Sequence, residues 1–308
     1  MGADTIQIDN LCDYQCVCGE NPLWHPDQNK LYWTDIETGR LFRYDPANDA
    51  HEQIYEGRKV GGFTFQADGR LLLFMDRGTV ALWDEGVLEP IIDEIPDEVE
   101  TRFNDVMADP EGRVFAGTMP APDRKGRLYR IERDGSYRII LEDIGCSNGM
   151  GFTPDLKQMY YTDSGARTIY LFDYDRASGE LTNRRDVVTV PEGQGVPDGM
   201  TVDNHGEIWS ARWDGYGVFH YTADGVEKDK VKLPAKKISS AIFGGPDLTD
   251  LYLTSAGGND KEENGAEAGA LFRVRGLGVH GFLLPVGSLD EPHSDGRSAI
   301  GGAIAQHG

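Results

Sequence analysis

The sequence predicts an all-β fold, a six-bladed β-propeller, on three observations. One unit recurs six times, each period of about 40 to 45 residues holds four strand-like runs, and helical periodicity is nearly absent. The units begin at Glu20, Gly61, Asn104, Asn148, Asp198 and Ser240, at spacings of 41, 43, 44, 50 and 42 residues.

The first unit opens with ENPLWHPDQNKLYWTD, an apolar run, a polar turn and an alternating run, which reads as a hairpin. RLFRYDPANDAHEQIY adds a second pair of strands around another turn. The second unit opens with GGFTFQADGRLLLFM, and the third joins NDVMADPEGRVFAGT to RLYRIERDGSYRIIL. The fourth joins NGMGFTPDLKQMYYTD to TIYLFDYDRASGELTN, and the fifth joins DGMTVDNHGEIWSAR to GVFHYTADGVEKDKVK. The sixth, SAIFGGPDLTDLYLTS, closes the ring with help from the other end of the chain: TIQID is expected beside LFRV and GFLLP. The best helical candidate, IDEIPDEVET, is interrupted by Pro96. These units fill most of the chain, so residues 1–289 are expected to form one propeller, and 290–308, rich in Gly and Ser, a disordered tail.

Composition agrees and excludes several functions. Glycine supplies 39 of 308 residues, nearly twice its usual share of about 7%, which implies many tight turns. Acidic residues number 52 against 30 basic ones, a net charge of −22, which is the wrong sign for a phosphate-binding surface and argues against nucleic acid. So acidic a surface suits a salt-rich cytoplasm, where counter-ions screen self-repulsion. No apolar run reaches the roughly 18 to 20 residues of a membrane span, and the start MGADTIQIDN lacks a signal-peptide pattern, so a cytoplasmic location with no membrane partner is expected. Cys12, Cys16, Cys18 and Cys146 are too few for a disulfide scaffold and are read as free thiols.

In a propeller the innermost strand of each blade starts near one end of the central channel, so the six repeat starts converge there. Two of them are carboxylates, Glu20 and Asp198, and two are carboxamides, Asn104 and Asn148. Oxygen donors of this kind are what Ca²⁺, Mg²⁺ and other hard divalent cations prefer, and packing alone would have chosen apolar residues. The alternative is that these side chains satisfy loop backbone groups at the strand starts.

The runs Gly19-Glu20-Asn21-Pro22, Arg102-Phe103-Asn104-Asp105, Ser147-Asn148-Gly149-Met150 and Pro197-Asp198-Gly199-Met200 resemble, in order and spacing, the SMP-30/gluconolactonase/regucalcin-like family. The resemblance covers about residues 15 to 285 and implies a six-bladed propeller with one divalent metal at its mouth, in a family many of whose members hydrolyse sugar lactones. It implies metal ligation by Glu20, Asn148 and Asp198, with Asn104 at or near the metal and Arg102 holding substrate oxygens. The segment 119–126, MPAPDRKG, is shorter than in animal members and lacks an acidic residue where they carry a substrate-contacting one, so the sugar does not carry over.

The function so implied is metal-dependent hydrolysis of an aldono-1,4- or 1,5-lactone to the aldonic acid. The cofactor is one divalent ion (Ca, Zn, Mg, Mn or Fe(II)) that polarises the carbonyl, while Asp198 assists the attacking water. Hydrolysis of another activated ester or a phosphotriester is the alternative, as is a non-enzymatic metal- or partner-binding propeller. The partner is a small-molecule sugar lactone, and the chain is expected to be a monomer or weak oligomer. Gly145 to Gly149 matches G-x-S-x-G around Ser147, but a strand follows where a nucleophile elbow needs a helix. Gly276 to Gly281 matches G-x-G-x-x-G without a βαβ unit. Cys12, Cys16, Cys18 and His25 lack a zinc spacing. The Tyr32 to Asp35 run, YWTD, echoed by Tyr160 to Asp163, resembles the YWTD receptor propellers, without their regular repetition or disulfide-rich neighbours.

Overall fold

Strand propensity and the two-residue alternation of each run are realised as six four-stranded antiparallel sheets, the blades of one propeller, in a computed structural model that describes residues 5–290. The innermost strands are Gly19–His25, Val60–Phe65, Phe103–Ala108, Ser147–Phe152, Val196–Val202 and Lys237–Gly244, each starting beside a repeat start. Burial falls outward through a blade. In blade 2 the inner strand is buried throughout, whereas its outer strand Val87–Ile92 is mostly exposed. The apolar side chains fill six clusters, most of them wedged between adjacent blades.

Closure follows the expected route in part. Gln7–Asp13 pairs antiparallel with Ala270–Arg275, the strand that contains LFRV, from Gln7 opposite Arg275 to Asp13 opposite Ala270. GFLLP does not join that sheet. Instead 279–290 forms a strap across the face opposite the strand starts: Gly281 N donates to Leu248 O at 2.9 Å, Gly287 N to Phe65 O at 2.7 Å and Ser288 N to Gly112 O at 2.9 Å. Asp290 N reaches Arg133 O at 2.6 Å, while the rest of the expected tail, from residue 291, lies outside the described residues. Two short helical pieces also break the all-strand expectation, a 3₁₀ turn at Pro96–Glu98 and an α-helical turn at Lys261–Asn264 capped by Asp260. The first has Pro at its start, which ends the candidate helix before it can propagate.

Every inner strand shifts register against its neighbour near its start, for example between Glu20 and Leu23, and between Phe103 and Val106. Two glycines explain how the strands then come so close. A Cβ on Gly61 would meet Phe103 O at 1.8 Å, and one on Gly199 would meet Ser240 Oγ at 2.1 Å. The YWTD-like aspartates have a local role: Asp35 accepts from Val17 N and Cys18 N, and Asp163 from Gly145 N and Cys146 N, so each fastens the segment that leads into an inner strand.

Candidate active site at the channel mouth

Four of the six repeat starts, Glu20, Asn104, Asn148 and Asp198, line one cavity of about 240 Å³, together with Arg102. Gly61 and Ser240 are not among its lining residues; their contribution is the close approach of strands. The remaining wall is Cys18, Met119, Cys146, Ser164, Val196 and Trp213. None of these was singled out from sequence as a site residue, although Cys18, Arg102, Cys146 and Val196 each stand two positions before a repeat start. In a strand, residues two apart share a face, so this spacing was the available signal.

The amide of Asn104 is held at both ends. Its Nδ2 donates to Ser147 O at 2.7 Å, and its Oδ1 accepts from Arg102 Nη1 at 2.7 Å. Arg102 Nη1 also reaches Phe103 O at 3.0 Å, and Nη2 lies 3.6 Å from Glu37. Asn148 Nδ2 donates to Ser164 Oγ at 3.0 Å, and Ser164 passes its own proton to Pro197 O at 2.6 Å. Fixing the nitrogen in this way leaves Asn148 Oδ1 buried with no hydrogen-bond partner.

Asp105 is the functional candidate that alternation hid. A strand should turn it away from Asn104's side, but its φ of 55° and the register break around it bring its carboxylate beside Glu20 and Asp198. Its Oδ2 is also buried without a partner, and burial pushes its pKa up to about 7. Glu20 is raised well above the usual carboxylate range by burial first, then by Asp198 and Asp105. Asp198 is raised by burial and by Asp105, against a smaller pull from Asn148, Gly199 N and Arg102. Three buried carboxylates that oppose one another's ionisation, with two orphaned amide or carboxyl oxygens beside them, fit a hard divalent cation, whose charge would offset the repulsion.

The other motifs are occupied structurally. Ser147 is fully buried and accepts from Tyr161 Oη at 2.7 Å. Cys18 and His25 lie toward opposite ends of one strand run, and Cys12 and Cys16 sit in the core between blades 1 and 6. Among the described residues, Asp203, Glu207 and His220 form the His and carboxylate trio whose ligand atoms lie within 4.8 Å of one another. It stands on the face opposite the mouth and is already paired: Lys228 Nζ is 2.7 Å from Glu207 Oε2, Trp209 Nε1 is 3.0 Å from Asp203 Oδ2, and His220 stacks on Trp209.

Arg102→Ala is expected to lower kcat/KM by roughly 10- to 100-fold, the size of one charge-assisted contact made in the transition state. The melting temperature should stay near that of the parent, because the guanidinium's carboxylate partner is only Glu37 at 3.6 Å. Steady-state kinetics alongside a thermal melt would check this; a much lower melting temperature with unchanged kinetics would make Arg102 a structural residue.

Residues 18–257 match the sequence profile of the SMP-30/Gluconolactonase/LRE-like region. A pentonolactonase of Haloferax volcanii is 47% identical over 279 residues, covering 87% of this chain and 94% of its own. The structure of a luciferin-regenerating enzyme superposes with a TM-score of 0.85 at 30% identity, covering 93% of this chain and 100% of the other. That of a calcium-binding regucalcin from Agrobacterium tumefaciens gives 0.82 at 25%, covering 90% and 95%. Among the described residues no helix is long and apolar enough to cross a membrane.

Proposed function

Because this chain belongs to the SMP-30/gluconolactonase/LRE-like family, we propose that it is a lactonase, a carboxylic-ester hydrolase that opens a sugar lactone to the aldonic acid. The observation that carries the reading is the cavity itself: Glu20, Asn104, Asn148 and Asp198 meet from four blades on a space large enough for a small lactone and open beside Arg102. A purely structural ion would be enclosed by protein ligands. Glu20, Asn148 and Asp198 would hold one divalent cation; calcium is favoured by the all-oxygen donor set and by the calcium-binding relative. Such a cation supplies Lewis-acid polarisation of an ester carbonyl.

The chain's own groups do the rest. Asp198, raised by burial and by Asp105, is placed to take a proton from the attacking water and return it to the leaving ring oxygen. The Arg102 guanidinium, already turned by Asn104 Oδ1 and Phe103 O, presents its remaining N–H groups to substrate hydroxyls. Asn104, pinned by Ser147 O, fixes that guanidinium in place and so keeps the substrate oriented. Asn148 is oriented by Ser164, and its free Oδ1 completes the donor set.

A panel of five- and six-carbon aldonolactones, followed by acid release, would test the reading on protein stripped with chelator and resupplied with single cations. Hydrolysis is expected to vanish on stripping and to return with one preferred ion. Undiminished hydrolysis by protein shown by elemental analysis to be metal-free would overturn the metal assignment, and no hydrolysis of any lactone would overturn the function.

A further inference from the structure

The cavity is built in two layers. Its floor is oxygen: Glu20, Asn104, Asn148 and Asp198. Its collar, two residues nearer the rim on the same strand runs, is Cys18, Arg102, Cys146 and Val196, completed by Met119 and Trp213. The collar is soft and apolar except at one point. Cys146 Sγ lies 3.5 Å from Met119 Sδ, and burial pushes the Cys146 thiol up to about 12, so it stays neutral. Trp213 has Lys237 Nζ 5.4 Å from its ring centroid. Ser164, the other polar residue of the wall, has spent its hydroxyl on Pro197 O and Asn148. Arg102 alone retains donors.

Resting on the lactonase reading, we infer that the collar selects lactones by the arm that projects from the ring, favouring arms that are short or end in a methyl group over arms that carry a diol. A ring hydroxyl beside Arg102 finds a donor. A hydroxyl at the end of a longer arm, carried away from Arg102, loses water and meets sulfur, Val196 or the Trp213 ring. Leaving one such hydroxyl unpartnered should cost roughly 5- to 100-fold in kcat/KM. The class implied is the 1,4-lactones of five-carbon aldonic acids and of 6-deoxy six-carbon acids.

The test compares three substrates on the metal-replete protein: a five-carbon 1,4-lactone, a six-carbon 1,4-lactone with a free diol arm, and its 6-deoxy counterpart of the same stereochemistry. The last two share every ring contact and differ by one hydroxyl. The 6-deoxy compound is expected to exceed its parent in kcat/KM by about 10-fold or more, with the five-carbon lactone at least as good. Cys146→Ser and Val196→Thr, near-isosteric changes that add a hydroxyl to the collar, should narrow that ratio, with folding checked by thermal melts. Equal constants for parent and deoxy lactone, or a ratio that neither variant moves, would overturn the collar and leave the lactonase reading standing. Failure to turn over any of the three would overturn that reading itself.

Discussion

Asp198→Ala is expected to lose both bound metal and turnover, with kcat/KM falling by roughly 10³-fold or more, since one side chain serves as ligand and as base. The strand that carries it is held by close approach, Gly199 having no room for a Cβ beside Ser240, so the variant should keep its shape. Its stability provides a second readout. Asp198 is buried, 4% exposed, beside Glu20 and Asp105, and in metal-free protein all three resist ionisation. Removing one carboxylate relieves that conflict, so the metal-free variant should melt no lower than the metal-free parent. Asp198→Asn separates the two roles: it keeps an oxygen donor and removes the base, so some metal should remain while turnover disappears. A folded Asp198→Ala protein with near-parental activity would remove Asp198 from the mechanism.

A chain beginning at Tyr14 is expected to lose the propeller. It gives up six paired positions along Gln7–Asp13, along with the Asp9 contacts to Arg273 at 3.1 Å and Arg275 at 2.9 Å and the Asn10 bond to Glu267 at 2.7 Å. At about 1 kcal/mol net for each backbone hydrogen bond the loss is several kcal/mol, which in a chain of this size lowers the melting temperature by on the order of 10 °C or more. The bared edge of Ala270–Arg275 then invites pairing between molecules. Circular dichroism melts and gel filtration would check this, and a monomeric truncated chain with an unchanged melting temperature would show that the strap alone holds the ring closed.

The period made the blades legible, because each unit repeats the same alternation, and it located the floor of the site, because equivalent positions of a closed ring must converge. It did not locate Asp105. Alternation assigns successive residues to opposite faces, and only a positive φ and a register break, which the sequence does not announce, bring Asp105 beside Asp198. The collar residues were available from the same alternation, but Cys and Val at a strand start look like packing. GFLLP misled for a related reason. A short apolar run can be a strand or simply an extended segment covering other apolar side chains, and the strap's Phe282 and Leu284 pack against blades rather than extending a ladder.

The strap also fixes where the two ends of the described chain stand. Thr5, beside Gly276, and Asp290, held by Arg133, both lie on the side away from the channel mouth. A support or a fused protein attached through either end is therefore delivered behind the propeller. Beads loaded with this protein by its amino or carboxyl end would hold it with the opening turned toward the liquid, free to fill and empty at the rate it has in solution.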